Sequence, residues 1–192
     1  MASRLIVCLT GMPGAGKSTV ASFLKEKGFA MVTMGDAVRE EATRQGLQPT
    51  NGNLGKLMLK LREEMGLGAV ARLMLNKISR DAVDGNVVID GIRSNAEVEV
   101  LRSIGQVKVL AIHASQDVRF RHVKARARLD APSDAGEFAG RDNRELSVGI
   151  SEAIALADET ISNNDLSLDQ LKIRAGAIVD GWLGELGAVG RK

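Results

Sequence analysis

Short apolar runs alternate with amphipathic stretches along the whole chain. The apolar runs predict buried strands, which cover residues 5–10, 29–34, 86–90, 107–113 and 159–162. Helical spacing of apolar positions between the runs predicts helices over 18–27, 36–45, 53–66, 69–83, 96–104, 117–129, 145–156 and 168–186. Strands that alternate with helices are joined by crossovers into a parallel sheet. The pattern therefore predicts an α/β fold, a three-layer αβα sandwich around a parallel five-stranded sheet.

The polar segment 130–143 shows no clear period, which predicts an irregular excursion rather than a domain linker. A length of 192 residues suits one domain, so we expect 1–192 to fold as a unit. The net charge of +2 is too small for a global field that would attract nucleic acid, so a nucleic-acid partner is not expected.

Localisation signals are lacking from the sequence pattern. No run approaches the roughly 20 apolar residues of a membrane span, and the first residues do not resemble a secretory signal. The single cysteine, Cys8, lies in the first apolar run, which favours a buried thiol in a reducing compartment. The expectation is a cytoplasmic protein without a membrane partner.

A glycine-rich stretch follows the first predicted strand and precedes the first helix. Residues 11–18, GMPGAGKS, match G-x-x-x-x-G-K-[ST] in full. Glycines let successive N–H groups converge on one anion, and the helix N-terminus adds a positive dipole end. This predicts a phosphate cradle for ATP with Mg²⁺, in which Lys17 bridges the β- and γ-phosphates and Ser18 ligates the metal. A chance glycine-rich turn is the alternative. The predicted nucleotide-binding residues are Gly11, Met12, Pro13, Gly14, Ala15, Gly16, Lys17, Ser18 and Thr19.

An acid should lie at the end of a neighbouring buried strand, where it can face the metal. The run 86–90, NVVID, ends in Asp90 after apolar residues, which favours a magnesium role for that carboxylate. The alternative is that Asp90 caps the next helix.

Two arginine-bearing turns follow the second and third predicted strands. They read MGDAVRE (34–40) and DGIR (90–93), and lie at strand ends where open α/β sheets bind ligands. Both resemble turns of the P-loop nucleoside-monophosphate kinase superfamily, although DGIR is a residue shorter and lacks proline. The resemblance implies acceptor-binding roles for Gly35, Asp36, Arg39, Gly91 and Arg93. A solvated helix arginine is the alternative for Arg39.

Basic residues surround the polar segment. Arg119, Arg121, Lys124, Arg126 and Arg128 precede it, and Arg141 and Arg144 follow it. Phosphoryl transfer needs cations over the γ-phosphate and exclusion of water, which a closing lid supplies. Kinases of the superfamily have arginines around their lids in this order. We therefore expect a lid over about 126–144, whose catalytic arginines are Arg126, Arg128, Arg141 and Arg144. A solvated face or a nucleic-acid patch is the alternative.

The C-terminal part of the chain resembles a smaller group of kinases within that superfamily. The stretch ADETISNN (157–164), followed by SLDQL (167–171), is similar to the ending of dephospho-CoA kinases. The blocks VTMGDAVREEA, LGKLMLKLREEMG, VVIDGIRSNAEVE, AIHAS and RDNRELSVGI resemble an archaeal P-loop kinase family that is labelled dephospho-CoA kinase-like or adenylate kinase-like. This resemblance implies an acceptor-binding helical insert at about 36–83, from which Arg62 reaches the substrate. A plain amphipathic helix is the alternative for that block.

These features predict an ATP-dependent kinase that acts on a small phosphate-bearing acceptor, with a nucleoside monophosphate as the first candidate. Lys17 and Asp36 join the lid arginines as its expected catalytic residues. One alternative is phosphorylation of a hydroxyl, as in dephospho-CoA, where Asp36 would act as the base. Another is a nucleotide-driven ATPase or switch that binds protein or RNA.

Overall fold

A computed structural model describes residues 4–81, 83–125 and 134–189. The strands among them form a five-stranded, all-parallel sheet. The strand order is β2-β3-β1-β4-β5. The strands are β1 Leu5–Thr10, β2 Ala30–Thr33, β3 Val87–Ile92, β4 Gln106–His113 and β5 Glu159–Ser162. Each lies within three residues of its predicted bounds, so the predicted parallel sheet is confirmed.

Helices cover both faces of the sheet. They are α1 Lys17–Glu26, α2 Met34–Arg44, α3 Asn51–Met65, α4 Ala69–Arg80, α5 Asn95–Leu101, α6 Gln116–Ala125, α7 Ala135–Ser147, α8 Ile150–Ala155 and α9 Leu168–Val189. Side chains of β1 alternate between two cores of the described residues. Ile6 and Cys8 pack with α2–α5, and Leu5, Val7 and Leu9 pack with α1 and α9. This alternation produces the predicted three-layer sandwich.

The expectation of an irregular segment over 130–143 is wrong from Ala135 onward, where α7 begins. Asp134 caps the helix by accepting a hydrogen bond from the Glu137 backbone N–H at 2.8 Å. Phe138 anchors it with 1% exposure. The helical period was hidden because Asp142, which the pattern marks as a surface position, is also buried, opposite a cation.

The predicted helix over 145–156 is also wrong in its bounds. It is divided into the end of α7 and the short α8, because Gly149 adopts a left-handed φ of 97° between them. The predicted helix over 117–129 is described as far as Ala125, and residues 126–133 lie outside the described part. Within the described helices, none is long and apolar enough to cross a membrane.

Candidate active site

A cavity of about 470 Å³ lies at the carboxyl ends of the central strands. It brings together the glycine-rich loop, the turns after β2 and β3, and one face of α7 and α8. The predicted site residues that line it are Gly11, Pro13, Gly14, Gly16, Lys17, Ser18, Gly35, Asp36, Arg39, Asp90, Gly91, Arg93 and Arg141. Residues from four separate parts of the chain therefore face one volume.

Some predicted residues do not line this cavity. Met12 and Ala15 of the glycine-rich loop and Thr19 of α1 lie off the cavity wall, and Ala15 is fully buried. Arg144 is exposed on α7. Arg126 and Arg128, two of the expected lid arginines, fall outside the described residues, as does most of the first half of the expected lid.

The glycine-rich loop leaves no room for side chains at two of its glycines. Gly11 has a φ of 139°, and a Cβ there would lie 2.2 Å from the Ile112 carbonyl oxygen. Gly14 has a φ of 83°, and its Cβ would lie 2.5 Å from the Arg119 carbonyl oxygen. Because β4 and α6 approach the loop so closely, only glycine permits this path of the backbone.

Lys17 begins α1 and points back over the loop. Its Nζ donates hydrogen bonds to the carbonyl oxygens of Gly11 at 2.6 Å and Met12 at 3.2 Å. Burial lowers the pKa of Lys17 to about 8, against the opposing effect of the Asp90 carboxylate. The ammonium therefore lies in a poorly solvated place where an added anion would stabilise its charge.

Ser18 and Asp90 meet at the base of the cavity. The Ser18 hydroxyl donates a hydrogen bond to Asp90 Oδ2 at 3.0 Å, and Asp90 Oδ1 is buried without a partner among the described residues. The register between β1 and β3 shifts after Leu9, so that Gly91 forms a bulge with a φ of 101°. A hydroxyl beside a carboxylate with an unpaired buried oxygen is a donor set that suits Mg²⁺.

The first turns of α2, directly after β2, carry a carboxylate and an arginine that pair with each other. Asp36 forms an ion pair with Arg39 and accepts a hydrogen bond from the Thr33 hydroxyl at 2.6 Å. Partial burial opposes ionisation, but the hydrogen bonds from Thr33 and Arg39 outweigh it and lower the pKa of Asp36. Asp36 is therefore ionised at neutral pH. Half of the Arg39 side chain, 52%, is exposed toward solvent.

The sequence predicts that Arg93, in the turn after β3, faces a bound anion, and the structure differs from this prediction. Arg93 Nε and Nη2 donate to Glu145 Oε2 at 2.5 Å and Oε1 at 3.3 Å, and Nη1 donates to the Gly91 carbonyl at 3.3 Å. The guanidinium is thus already engaged by a carboxylate from α7. Arg141, one turn earlier on α7, lines the cavity and makes no hydrogen bond or ion pair with the described residues.

Arg62 points away from the cavity. Its Nη2 donates to Glu97 Oε1 at 2.7 Å, and its Nε and Nη1 are buried without described partners. Glu97 is fully buried, and its Oε2 accepts a hydrogen bond from the Arg93 backbone N–H at 2.8 Å. Glu97 therefore links α3 to the turn after β3, a role that its position in the sequence did not suggest.

Another cavity, of about 940 Å³, lies between α2, α3 and α4. Its wall includes the apolar side chains of Leu61, Met65 and Leu73 together with charged groups of α2 and α4, and it shares Arg39 with the first cavity. Arg39 of α2 is therefore the lining residue that the two cavities have in common.

The sequence missed several residues that shape the site, namely Thr33, Glu97, Arg119, His122, Asp142, Glu145 and Asn163. Asp142, Glu145, His122 and Asn163 have partners 23 to 148 residues away, which leaves no local pattern to detect. Thr33 and Glu97 are the exceptions, since a threonine or serine three residues before an acid is a helix-capping signal. In the sequence, Arg119 is one of several basic residues on its helix, and no spacing distinguishes it from the others.

The family of the chain follows from comparison with known proteins. A family model described as an AAA domain matches residues 10–138. A UPF0200 protein of Hyperthermus butylicus is 40% identical over 185 residues, which cover 96% of this chain and 98% of that protein. Its counterpart in Pyrococcus furiosus is 46% identical over 173 residues, covering 88% and 92% of the two chains.

The fold also resembles solved structures of P-loop kinases. Shikimate kinase from Acinetobacter baumannii, in complex with shikimate, superposes with a TM-score of 0.58 at 16% identity, over 96% of each chain. At that identity the likeness establishes a P-loop kinase-like fold and nothing finer. The sequence relatives go further, and on their evidence the chain belongs to the archaeal UPF0200 family, with an AAA domain over residues 10–138.

Proposed function

We propose that this protein is an ATP-dependent phosphotransferase that moves the γ-phosphoryl group to a small phosphate-bearing acceptor, with a nucleoside monophosphate as the first candidate. The observation that carries the proposal is the shared cavity, in which a phosphate-binding loop faces Arg39 and Arg141 from other elements. A switch or simple ATPase needs no second cationic region beside the donor phosphates. The P-loop kinase-like fold supports phosphotransfer in general.

The donor side would use the glycine-rich loop, Lys17, Ser18 and Asp90. Loop N–H groups and the Lys17 ammonium would bind the β- and γ-phosphates of ATP. Ser18 and Asp90 would hold Mg²⁺, which supplies neutralisation of phosphate charge when bound. Asp90 Oδ1, buried and unpaired in the described structure, supports this assignment.

The acceptor side would use the two arginines that have capacity for an anion. Arg39 is half exposed, and Arg141 has no described ion-pair partner, so both can fork onto a phosphate group. The cavity between α2, α3 and α4 would take the rest of the acceptor, because Arg39 lines both cavities. In-line transfer then needs little more than correct placement of donor and acceptor between these cations.

A second candidate is a kinase that phosphorylates a hydroxyl. The observation in its favour is Asp36, an ionised carboxylate on the cavity wall that could accept the hydroxyl proton. Against it, both oxygens of Asp36 already accept hydrogen bonds, from Thr33 and Arg39. An acceptor phosphate is largely ionised at neutral pH and needs no base.

The experiment is to measure ADP release from ATP and Mg²⁺ with a panel of nucleoside monophosphates, dephospho-CoA and no acceptor, and to identify the products by mass spectrometry. We expect stimulation by a nucleoside monophosphate and formation of the diphosphate. Lys17→Ala should abolish transfer, and Arg102→Ala, at an exposed surface ion pair, should leave it unchanged. If ADP release without an acceptor equals ADP release with each acceptor of the panel, the protein is an ATPase and the proposal is overturned.

A further inference from the structure

Among the described residues, three side chains outside the glycine-rich loop bond to three consecutive carbonyl oxygens within it. Arg119 Nη1 donates to Pro13 O at 3.1 Å, and Asn163 Nδ2 donates to Ala15 O at 2.8 Å. Between them, His122 Nδ1 lies 3.0 Å from Gly14 O. A carbonyl oxygen can only accept, so His122 is the donor there and carries its proton on Nδ1. We call this set the carbonyl clamp.

The clamp determines which way the loop amides point. A peptide unit is planar and trans, so its carbonyl oxygen and the following N–H point in opposite directions. Holding the oxygens of Pro13 and Ala15 on the outside directs the N–H groups of Gly14 and Gly16 to the other side, and both glycines line the cavity. The Ala15 N–H closes a turn onto Met12 O at 3.1 Å.

Tight packing keeps the clamp in place. Arg119 and Asn163 are each only 5% exposed. A Cβ added to Gly16 would lie 2.7 Å from Asn163 Nδ2, so the loop rests directly on the clamping amide. Arg119 is fixed in turn by Asp142, which accepts hydrogen bonds at 2.8 and 2.6 Å, and by a bond to Ala114 O at 3.2 Å. Four of the five N–H donors of Arg119 are therefore engaged within the described structure.

We propose that Arg119, His122 and Asn163 are positioning residues that preorganise the phosphate cradle before a ligand arrives. A loop already held in its binding conformation avoids the cost of ordering when it binds an anion. The clamp side chains touch no phosphate themselves and act through the direction of the loop N–H groups. The inference rests on the proposed function only in taking the cavity as a phosphate site, and it concerns residues that the nucleotide-binding motif does not contain.

The test measures binding of inorganic tripolyphosphate with Mg²⁺ by calorimetry, which needs no acceptor. We expect His122→Phe and Asn163→Ala each to weaken binding about three- to tenfold, the worth of one hydrogen bond. His122→Gln, which keeps a donor, should recover part of the loss. His113→Phe and Asn164→Ala are matched controls, because His113 is exposed at the end of β4 and Asn164 bonds to Ser115 instead of the loop.

A second readout is amide hydrogen exchange of Ala15 without ligand, whose N–H bonds to Met12 O at 3.1 Å and should exchange faster in the clamp variants than in the controls. Variants that melt earlier but keep both the wild-type affinity and the wild-type exchange rates would overturn the proposal. If His122→Phe does not fold, Asn163→Ala and His122→Gln are compared with the controls in the same way. A wild-type protein that binds tripolyphosphate but phosphorylates no acceptor would refute the proposed kinase and leave the clamp standing.

Discussion

Lys17 shows how a single residue connects folding to ligand binding. Its side chain is partly buried, and its ammonium donates hydrogen bonds to the loop's own carbonyl oxygens at Gly11 and Met12. A pKa of about 8, below the usual value of 10.5, means that the fold disfavours the charged form. The lysine therefore costs stability below about pH 8, and this cost decreases as the pH rises from 8 toward 10.5. A phosphate bound beside Lys17 would instead favour the charged form of the lysine.

The first prediction follows from that reversal. Phosphate beside Lys17 raises its pKa again, so binding of Mg²⁺ and tripolyphosphate at pH 8 should take up about half a proton. The uptake is measured by calorimetry in two buffers of different ionisation enthalpy. It should fall toward zero at pH 6.5, where Lys17 is already charged, and should be absent in Lys17→Met. Equal proton uptake in Lys17→Met would assign the proton to another group.

Asp36 separates the two kinds of acceptor. Asp36→Asn keeps the size of the side chain and weakens the pairing with Arg39. With a phosphate acceptor we expect a rise in acceptor KM of several-fold and a small change in kcat, because Arg39 loses its orientation. With a hydroxyl acceptor the loss of a base would lower kcat by roughly 10²–10⁴-fold. Steady-state kinetics with the acceptor that the panel identifies distinguish a phosphate acceptor from a hydroxyl acceptor. A large fall in kcat at an unchanged acceptor KM would contradict the phosphate assignment.

The contrast between predicted and missed residues has a physical cause. The glycine-rich loop is contiguous and its spacing is dictated by one anion, so residues 11–18 were identified from the sequence. Arg93 was also identified, but its engagement by Glu145 depends on a partner 52 residues away. Side chains that hold the site from other elements leave no spacing rule, and a structure is needed to find them.

At the scale of elements, α7 joins the two halves of the site. Within the described chain it makes two ion pairs one turn apart, Asp142 with Arg119 beside the glycine-rich loop and Glu145 with Arg93 beside the turn after β3. Arg141 is four residues before Glu145, on the same side of the helix. The two pairs therefore fix the helix that presents Arg141 to the cavity.

The ion pair between Arg93 and Glu145 makes a prediction for stability. The side chains are 22% and 13% exposed, so removing one leaves a poorly solvated charge without a partner. Arg93→Met and Glu145→Met should each lower the free energy of unfolding by about 2–4 kcal/mol, and the double variant should lose much less than their sum. Urea denaturation of the four proteins measures this coupling. If the stability losses of the two single variants add up to the loss of the double variant, the interaction between Arg93 and Glu145 does not stabilise the fold.

The helices also show where pattern reasoning fails. The bounds of α1 to α4 lie within three residues of prediction, because each buries a regular apolar stripe. The stripe of α7 includes Asp142, which is buried only because Arg119 neutralises it. A buried ion pair looks like two surface positions in a sequence, and so the helix was read as an irregular segment.

The whole molecule is organised by its strand order. β1 lies at the centre, between β3 and β4, so the loop after it is flanked by the turn after β3 and the start of α6. That placement explains why one cavity collects residues from distant parts of the chain. The alternation of strands and helices predicts a parallel sheet, whereas the order of its strands comes from the structure. A shikimate kinase shares the fold at 16% identity. The acceptor, in contrast, depends on a few side chains at strand ends.

The last prediction concerns coupling across the cavity. Arg39 on α2 and Arg141 on α7 face the same volume but do not contact each other through any bond of the described structure. If both bind the acceptor phosphate, ATP alone should protect the glycine-rich loop from hydrogen exchange, and only ATP with acceptor should also protect α2 and α7. Mass spectrometry of exchanged peptides reports the three regions separately, with a non-hydrolysable ATP analogue to prevent turnover.

Arg39→Ala is the matched variant for this experiment. It removes one acceptor cation and leaves the donor loop intact, so loop protection by the ATP analogue should persist while the acceptor-dependent protection of α7 is lost. Arg102→Ala, which removes an exposed cation paired with Glu99 and lining neither cavity, should behave like the wild type. Protection of α7 by the analogue alone, unchanged by acceptor or by Arg39→Ala, would mean that α7 responds to the donor only. The acceptor phosphate would then have to bind without Arg141.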